Sequence, residues 1–244
     1  MEDLKIYYIY HSCFVVETRN YVIIFDYFKN PVKNEKDEIS LNEKILNTKK
    51  KVLVFSSHSH YDHFNKDIFS WENKFGIIEY ILSSDISFGD ELQNCHKISE
   101  NETFVKDRVR IKAYGSTDLG VSFLIEADGI KIFHAGDLNW WYWKDDTPDE
   151  EKYMREYYQR IVKEINENKE IDIVFFPVDP RLEEFYCLGG EYFAENVKSK
   201  IMIPMHFDEN FYICKEFKEK IERFDIEGAL IERTNYLLKF KTDI

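Results

Sequence analysis

Ser56-Ser57-His58-Ser59-His60-Tyr61-Asp62-His63 is the stretch whose reading decides the fold. It follows directly on Val52-Leu53-Val54-Phe55, an apolar run with the character of a buried strand. Imidazole nitrogens and carboxylate oxygens are the usual protein ligands of zinc and related divalent metals. His58 and His60 are two residues apart and Asp62 keeps their phase, so an extended backbone would send all three to one side. His63 breaks the phase. A turn after the strand would then offer two diverging donor sets, one for each of two adjacent metals. The competing reading is a polar loop with solvated histidines. Three of the chain's seven histidines fall in this loop, directly behind a buried strand, which favours metal.

Working outward, two more segments carry the same signature. Ile130-Lys131-Ile132-Phe133-His134-Ala135-Gly136-Asp137 is a strand running into a small-residue turn that ends in a carboxylate. Ile201-Met202-Ile203-Pro204-Met205-His206-Phe207 is a short strand that delivers one histidine. Near the N-terminus, β-type runs at 4–10, 14–17 and 21–25, with a turn at 18–20, fit an antiparallel meander. His11 stands before the second of these runs and Asp26 ends the third. Taken alone, His11 reads equally as an ordinary strand-end histidine and Asp26 as a turn carboxylate.

His58-x-His60-x-Asp62-His63 resembles the HxHxDH signature of the metallo-β-lactamase fold, a superfamily of mostly hydrolytic metalloenzymes. His11-Ser12-x-Phe14 resembles the HS-x-F opening of the branch related to ascorbate-6-phosphate lactonases. His134-Ala135-Gly136-Asp137-x-Asn139-Trp140-Trp141 is similar to a group of metal-dependent hydrolases in the same superfamily. The resemblance implies an α/β fold, a four-layer αββα sandwich of two mixed sheets flanked by helices, formed by one domain over residues 1–244. It also implies that His58, His60 and a shared Asp137 hold metal one. Asp62, His63, His206 and Asp137 hold metal two, Asp26 supports the metal loop, and His134 orients a ligand or meets substrate. Zinc is the first expectation, one or two ions, with manganese or iron as alternatives. Asp62 and Asp137 are then the catalytic carboxylates, acting with water activated as hydroxide. The chain departs from the pattern in one respect. Many members place a third histidine for metal one near 114–118, and here the nearest donor is Asp118. Asp118 either replaces that histidine or shapes the turn before Gly120.

The implied activity is hydrolysis of an ester, lactone or phosphodiester bond in a small anionic metabolite. Trp140, Trp141 and Trp143, costly to leave in water, form either core or a wall over the site. Arg181, after the strand at 171–176, either holds an anionic substrate group or pairs with Asp179 or Glu183. Two other classes stay open: a mononuclear iron oxidoreductase on the same fold, and a metal-binding sensor without turnover. Metal content and oxygen uptake separate the first from a hydrolase, and the absence of metal-dependent turnover marks the second.

The net charge of −13 disfavours a nucleic-acid backbone as partner, because phosphate contacts need clustered Lys and Arg. The four cysteines are widely spaced and contain no CxxC, as expected of reduced thiols in the cytoplasm. No apolar run approaches membrane-spanning length and the N-terminus has no signal-peptide pattern. A small-molecule substrate is the expected partner, and oligomeric state is not legible. Elsewhere the patterning predicts helices near 41–46, 65–69, 147–166, 191–198 and 215–223. It predicts strands at 77–82, 109–113, 120–126, 229–231 and 236–240. In the long helix, Tyr153, Tyr157, Ile161 and Ile165 recur every four residues and are expected to face the core.

Overall fold

The alternating apolar residues of the N-terminus form the expected meander of β1 (Lys5–Tyr10), β2 (Cys13–Glu17) and β3 (Tyr21–Phe25). The computed structural model describes residues 4–31, 41, 45–75 and 78–238. β4 (Lys51–Ser56), the strand behind the histidine loop, pairs parallel with β3 and is buried at five of its six positions. Such continuous burial is what a parallel strand covered on both faces requires. After α1 (Glu72–Phe75), β5 (Ile78–Ser83) and β6 (Cys95–Ile98) continue the parallel part, and β14 (Tyr236–Leu238) closes the other edge on β1. The first sheet thus runs β14-β1-β2-β3-β4-β5-β6.

The second sheet repeats this plan. β7 (Thr103–Lys106), β8 (Val109–Tyr114), β9 (Ser122–Ala127) and β10 (Ile130–His134) are successive antiparallel neighbours. β11 (Ile171–Pro177), β12 (Ser199–Met205) and β13 (Glu227–Gly228) add in parallel. Aromatic rings fill the space between the sheets: Phe14 meets Phe175 at 4.5 Å and Phe55 meets Phe123 at 5.2 Å between centroids. Phe176, one residue on from Phe175, points the other way and meets Phe193 of α3 (Leu188–Asn196). α2 (Pro148–Asn166), α3 and α4 (Tyr212–Ile221) bury their apolar faces with the second sheet. A separate cluster with Leu41, Ile45, Leu46, Ile68 and Trp71 covers the outer face of the first. The result is the four-layer α/β sandwich that the resemblance implied. Among the described residues no helix is long and apolar enough to cross a membrane.

Several local expectations are corrected. The segment at 65–69 is a 3-10 turn, Lys66–Ser70, capped by Asn65 as expected. Tyr153 is 67% exposed, and the buried face of α2 is Tyr158, Ile161, Val162 and Ile165. A four-residue step overshoots one helical turn by about 40°, so a row with that spacing drifts from core to solvent. α3 begins before its glycines, not after them, and ends at Asn196. A Cβ on Gly189 would lie 2.0 Å from Asn139 Oδ1, so that glycine serves close packing inside the helix. No strand covers 229–231; the pairing is confined to β13, followed by one bond from Ala229 N to Met202 O. β6 and β7 were not anticipated. His96, expected as a plain surface residue, lies on β6, bonded to Glu79 and packed on Phe104. The helix expected at 41–46 includes residues 42–44, and the strand expectations at 77 and 239–240 likewise fall outside the described residues.

Candidate metal centre

The parallel strands of both sheets end at one rim, where ligand sites of layered α/β folds collect. From the first sheet come His11 after β1, Asp26 after β3, and His58, His60, Asp62 and His63 after β4. From the second come Asp118 after β8, Asp137 after β10, Asp179 after β11 and His206 after β12. His11, Asp26 and His206 hold positive φ of 55°, 43° and 65°. Strained backbone of this kind persists where surrounding contacts fix the residue, and here it turns each side chain off its strand into the rim.

Two groups of four donors result, and within each group the ligand atoms all lie within 4.8 Å of one another. One group is His11, Asp62, His63 and His206; the other is His58, His60, Asp118 and Asp137. Asp137 lies between them: Oδ1 is 3.2 Å from His63 Nε2 and 3.5 Å from His206 Nε2, and Oδ2 is 3.5 Å from His58 Nε2. This is the position expected of a shared carboxylate. The structure adds two donors to the sets implied by the resemblance. Asp118 stands beside His60, Oδ2 to Nδ1 3.6 Å, where a third histidine is absent. His11 stands 3.6 Å from Asp62 Oδ2, so its ordinary strand-end reading does not describe its surroundings.

The imidazoles are oriented from behind. His63 Nδ1 donates to Asp26 Oδ2 at 2.7 Å, His206 Nδ1 to Asp179 Oδ2 at 3.0 Å, and His11 Nδ1 to Asp208 Oδ1 at 2.9 Å. Ser57 donates its hydroxyl to Asp26, so it accepts from His58 Nδ1 at 2.9 Å. Each bond fixes the tautomer that leaves Nε2 with a lone pair facing the rim. His11 Nε2, His58 Nε2, His63 Nε2 and Asp137 Oδ1 are buried and have no hydrogen-bond partner among the described residues. Buried polar atoms are ordinarily paired, and four unpaired acceptors at one place fit a divalent cation. His134 differs: Nε2 donates to Ser12 O at 3.0 Å and Nδ1 accepts from Gly136 N at 3.2 Å. Both of its nitrogens are committed, so it shapes the Asp137 turn and is not a donor to the rim. Asp26 likewise acts from behind, accepting from Ser57 N at 2.7 Å as well.

The electrostatics point the same way. Burial pushes the His58 imidazole down to about 4 and holds His63 and His206 below the ordinary histidine value, so all three are neutral and free to bind metal at pH 7. Burial, then the negative charges of Asp118, Asp26, Asp62 and Asp179, lifts Asp137 well above the usual carboxylate range. A divalent cation is the counter-charge that would reverse this. Burial also opposes the charge on Asp179, but hydrogen bonds from His206 and Arg181 outweigh it and hold that carboxyl low.

A cavity of about 510 Å³ opens over the donors, lined by Tyr61, Trp141, Trp143, Met154 and Arg181 among others. The tryptophans divide. Trp141 and Trp143 stack on one another, 6.2 Å apart and 4° from parallel, and Trp141 Nε1 donates to Asp137 O at 3.0 Å. Trp140 packs instead on Tyr158 and Tyr192, as core under the loop. Arg181 meets both of its expected roles in part: Nε and Nη2 bond Asp179, yet the guanidinium still lines the cavity. Asp179 and Asp208 were missed as positioning residues. The one available signal was the placement of each just beyond a strand that ends at the rim.

The family model for the beta-lactamase superfamily domain matches residues 5–142. No curated protein matches the chain's sequence. Among solved structures, Igni18 from Ignicoccus hospitalis, described as a novel metallo hydrolase, is 18% identical with a TM-score of 0.70, covering 99% of this chain and 100% of that one. CmlA, a diiron β-hydroxylase from Streptomyces venezuelae, is 10% identical with a TM-score of 0.65, covering 93% of this chain but 52% of that one. YhfI from Bacillus subtilis, a metallo-beta-lactamase fold protein, is 10% identical with a TM-score of 0.58, covering 91% and 93%. At these identities the likeness is one of fold.

Proposed function

The chain belongs to the beta-lactamase superfamily domain family, and from that premise we propose that it is a metal-dependent hydrolase of an ester, lactone or phosphodiester bond in a small anionic metabolite. The observation that carries the reading is that His11 Nε2, His58 Nε2, His63 Nε2 and Asp137 Oδ1 are buried, unpartnered among the described residues, and spread over two adjoining donor groups of the rim. His11, Asp62, His63 and His206 would hold one cation, and His58, His60, Asp118 and Asp137 a second. Zinc is the first candidate, with manganese and iron as alternatives. A bound cation supplies Lewis acidity, which acidifies water and stabilises charge on a carbonyl or phosphoryl oxygen.

The chain's own residues do the rest. Asp62 is part-exposed to the cavity and offers a carboxylate oxygen to orient the attacking water and take its proton. That proton passes to the leaving oxygen as its bond to carbon or phosphorus breaks, so the reaction consumes one water and involves no redox change. Asp137 fixes the spacing of the donor groups, and Trp141 and Trp143 keep bulk water from one side. Kinship with the ascorbate-6-phosphate lactonase-like branch and a cytoplasmic setting belong to this reading, supported by His11 in the donor set and four free cysteines.

A metal-content measurement followed by a screen of ester, lactone and phosphodiester substrates tests it. Turnover that requires zinc or manganese and is lost in His63→Ala and Asp137→Ala is the expected result. Iron content with oxygen uptake would instead favour an oxidoreductase, a reading to which the imidazole–carboxylate donor set also lends itself. Tight metal binding with no turnover on any substrate would favour a sensor.

A further inference from the structure

The space over the donors has two lobes. The larger, about 510 Å³, carries Trp141, Trp143 and Met154; the smaller, about 300 Å³, carries Tyr10, Phe28 and Lys29. Tyr61, Asp62, Arg181 and His206 line both, so the lobes meet at the metal-binding rim.

The lobes differ in chemistry. Trp143, 38% exposed, lines the larger lobe alone, while Tyr61, 76% exposed, lines both and meets Phe28 edge-on. Large aromatic side chains left open beside a site present flat faces to a ligand. In the smaller lobe Asp179 bonds His206 and Arg181, Asp208 bonds His11, and Asp62 is one of the rim donors. Lys29 is held otherwise. Its Nζ lies 4.1 Å from the ring centre of Tyr10 and 5.0 Å from that of Phe28, and it has no carboxylate partner among the described residues. Aromatic rings hold an ammonium in place without neutralising it. Arg181 gives Nε and Nη2 to Asp179, and its Nη1 has no partner among the described residues. Arg181 is paired with Asp179, and Asp62 belongs to the donor set that would hold a cation, so Lys29 is the charge of the smaller lobe that no carboxylate of the described residues neutralises.

We propose that the site takes a two-ended substrate. A flat ring system lies in the larger lobe against Trp143 and Tyr61. An anionic group lies in the smaller lobe at Lys29 and the Nη1 edge of Arg181. The scissile bond crosses the rim between them. Only the last statement rests on the hydrolase reading; the two-ended binding does not.

The test uses the metal-loaded protein and two non-hydrolysable anilides of equal length, N-(4-nitrophenyl)succinamate, which ends in a carboxylate, and uncharged N-(4-nitrophenyl)butanamide. By titration calorimetry the anionic anilide binds about fivefold more tightly, the scale of one part-exposed ion pair. Lys29→Gln removes that preference and leaves the neutral anilide unchanged, while Trp143→Ala weakens both by about fivefold. Lys29 is exposed, so its replacement leaves the fold intact. Equal affinity for the two anilides, or a preference that survives Lys29→Gln, overturns the proposal. Turnover of the matching 4-nitrophenyl hemisuccinate ester is read separately. Its absence with the binding pattern intact removes the hydrolase reading and keeps the two-ended site. Turnover with a KM indifferent to Lys29→Gln does the reverse.

Discussion

Asp137 Oδ1 is buried within 3.5 Å of two imidazole nitrogens that carry no proton toward it, with four further aspartates of the rim nearby. In the metal-free chain this carboxyl favours its protonated form, because burial and like charges raise its pKa. A raised folded value means that its contribution to stability is complete below the unfolded value near 3.9 and is lost as pH rises through the folded one. Asp137→Asn keeps the shape and removes the ionisation. Metal-free Asp137→Asn is therefore expected to be more stable than the parent at pH 8, by on the order of 1–3 kcal/mol. The gap should shrink toward pH 5. Burial depresses His58 to about 4, so its contribution runs the opposite way, present above about 6.5 and lost as pH falls toward 4. That histidine is common to both proteins and cancels in the difference. Denaturant titrations of the two chelated proteins at both pH values check this, and a gap independent of pH would sink it. The ligand-type residues of the loop were legible in the sequence because residue type and spacing carry the chemistry, whereas Asp137 and His206 were reached through the family resemblance. Asp179 and Asp208 were not legible, since each acts through single N–H bonds to a histidine 27 or 197 residues away. The positive φ that aims His11 and His206 leaves no mark in the residue types either.

At the scale of elements, the turn between β8 and β9 carries Asp118 and is pressed onto the histidine loop. Val121 N donates to Ser57 O at 2.9 Å, and a Cβ on Gly120 would lie 2.0 Å from that same oxygen. Gly120 also has φ of +72°, so an alanine there meets both strain and a backbone atom that cannot swing aside. Thr117 ties the turn to the Asp137 loop, donating to Asn139 O at 2.6 Å. Gly120→Ala should cost about 1–3 kcal/mol as an overpacked contact. It should also displace Asp118 from His60, so that zinc stoichiometry by emission spectroscopy falls toward one ion while the His11 group stays filled. Two ions retained at full affinity would refute the coupling. Elements with strong periodicity were legible, as α2 shows: its Thr147–Glu150 capping box and Pro148 mark the start, and its end at Asn166 was expected. β7 was not, because an edge strand with three of four positions exposed has no apolar alternation to read. The glycines of α3 misled for a related reason: their packing role depends on Asn139 and Phe217, which come from elsewhere in the chain.

Over the whole molecule the two sheets are hydrogen-bonded to each other at both rims, and at one of them bound cations would add to those bonds. At the rim away from the donors, Asp128 of the β9–β10 turn accepts from Thr18 Oγ1 at 2.7 Å, Asn20 N at 2.8 Å and Asn20 Nδ2 at 2.7 Å, all from the β2–β3 turn. That rim is joined by the chain's own hydrogen bonds. At the donor rim, where Val121 N also donates to Ser57 O between the sheets, His11, His58 and His63 turn toward Asp137 and one another with Nε2 atoms that have no hydrogen-bond partner among the described residues. Bound cations would strengthen the join there, and binding only to the folded state would stabilise it. At a free metal concentration 100 times Kd the gain is about 2.7 kcal/mol per site, or roughly 5–10 °C in Tm for a chain of this length. Chelation should lower Tm by that amount, reversibly, with zinc re-addition restoring it. Amide exchange should locate the loss. Protection is expected to fall after β1, β4, β8, β10 and β12 and to stay unchanged at Thr18–Asn20 and Asp128, because their bonds do not depend on metal. A fall spread evenly over both rims would mean that the cation supports the fold as a whole and not one seam between its sheets.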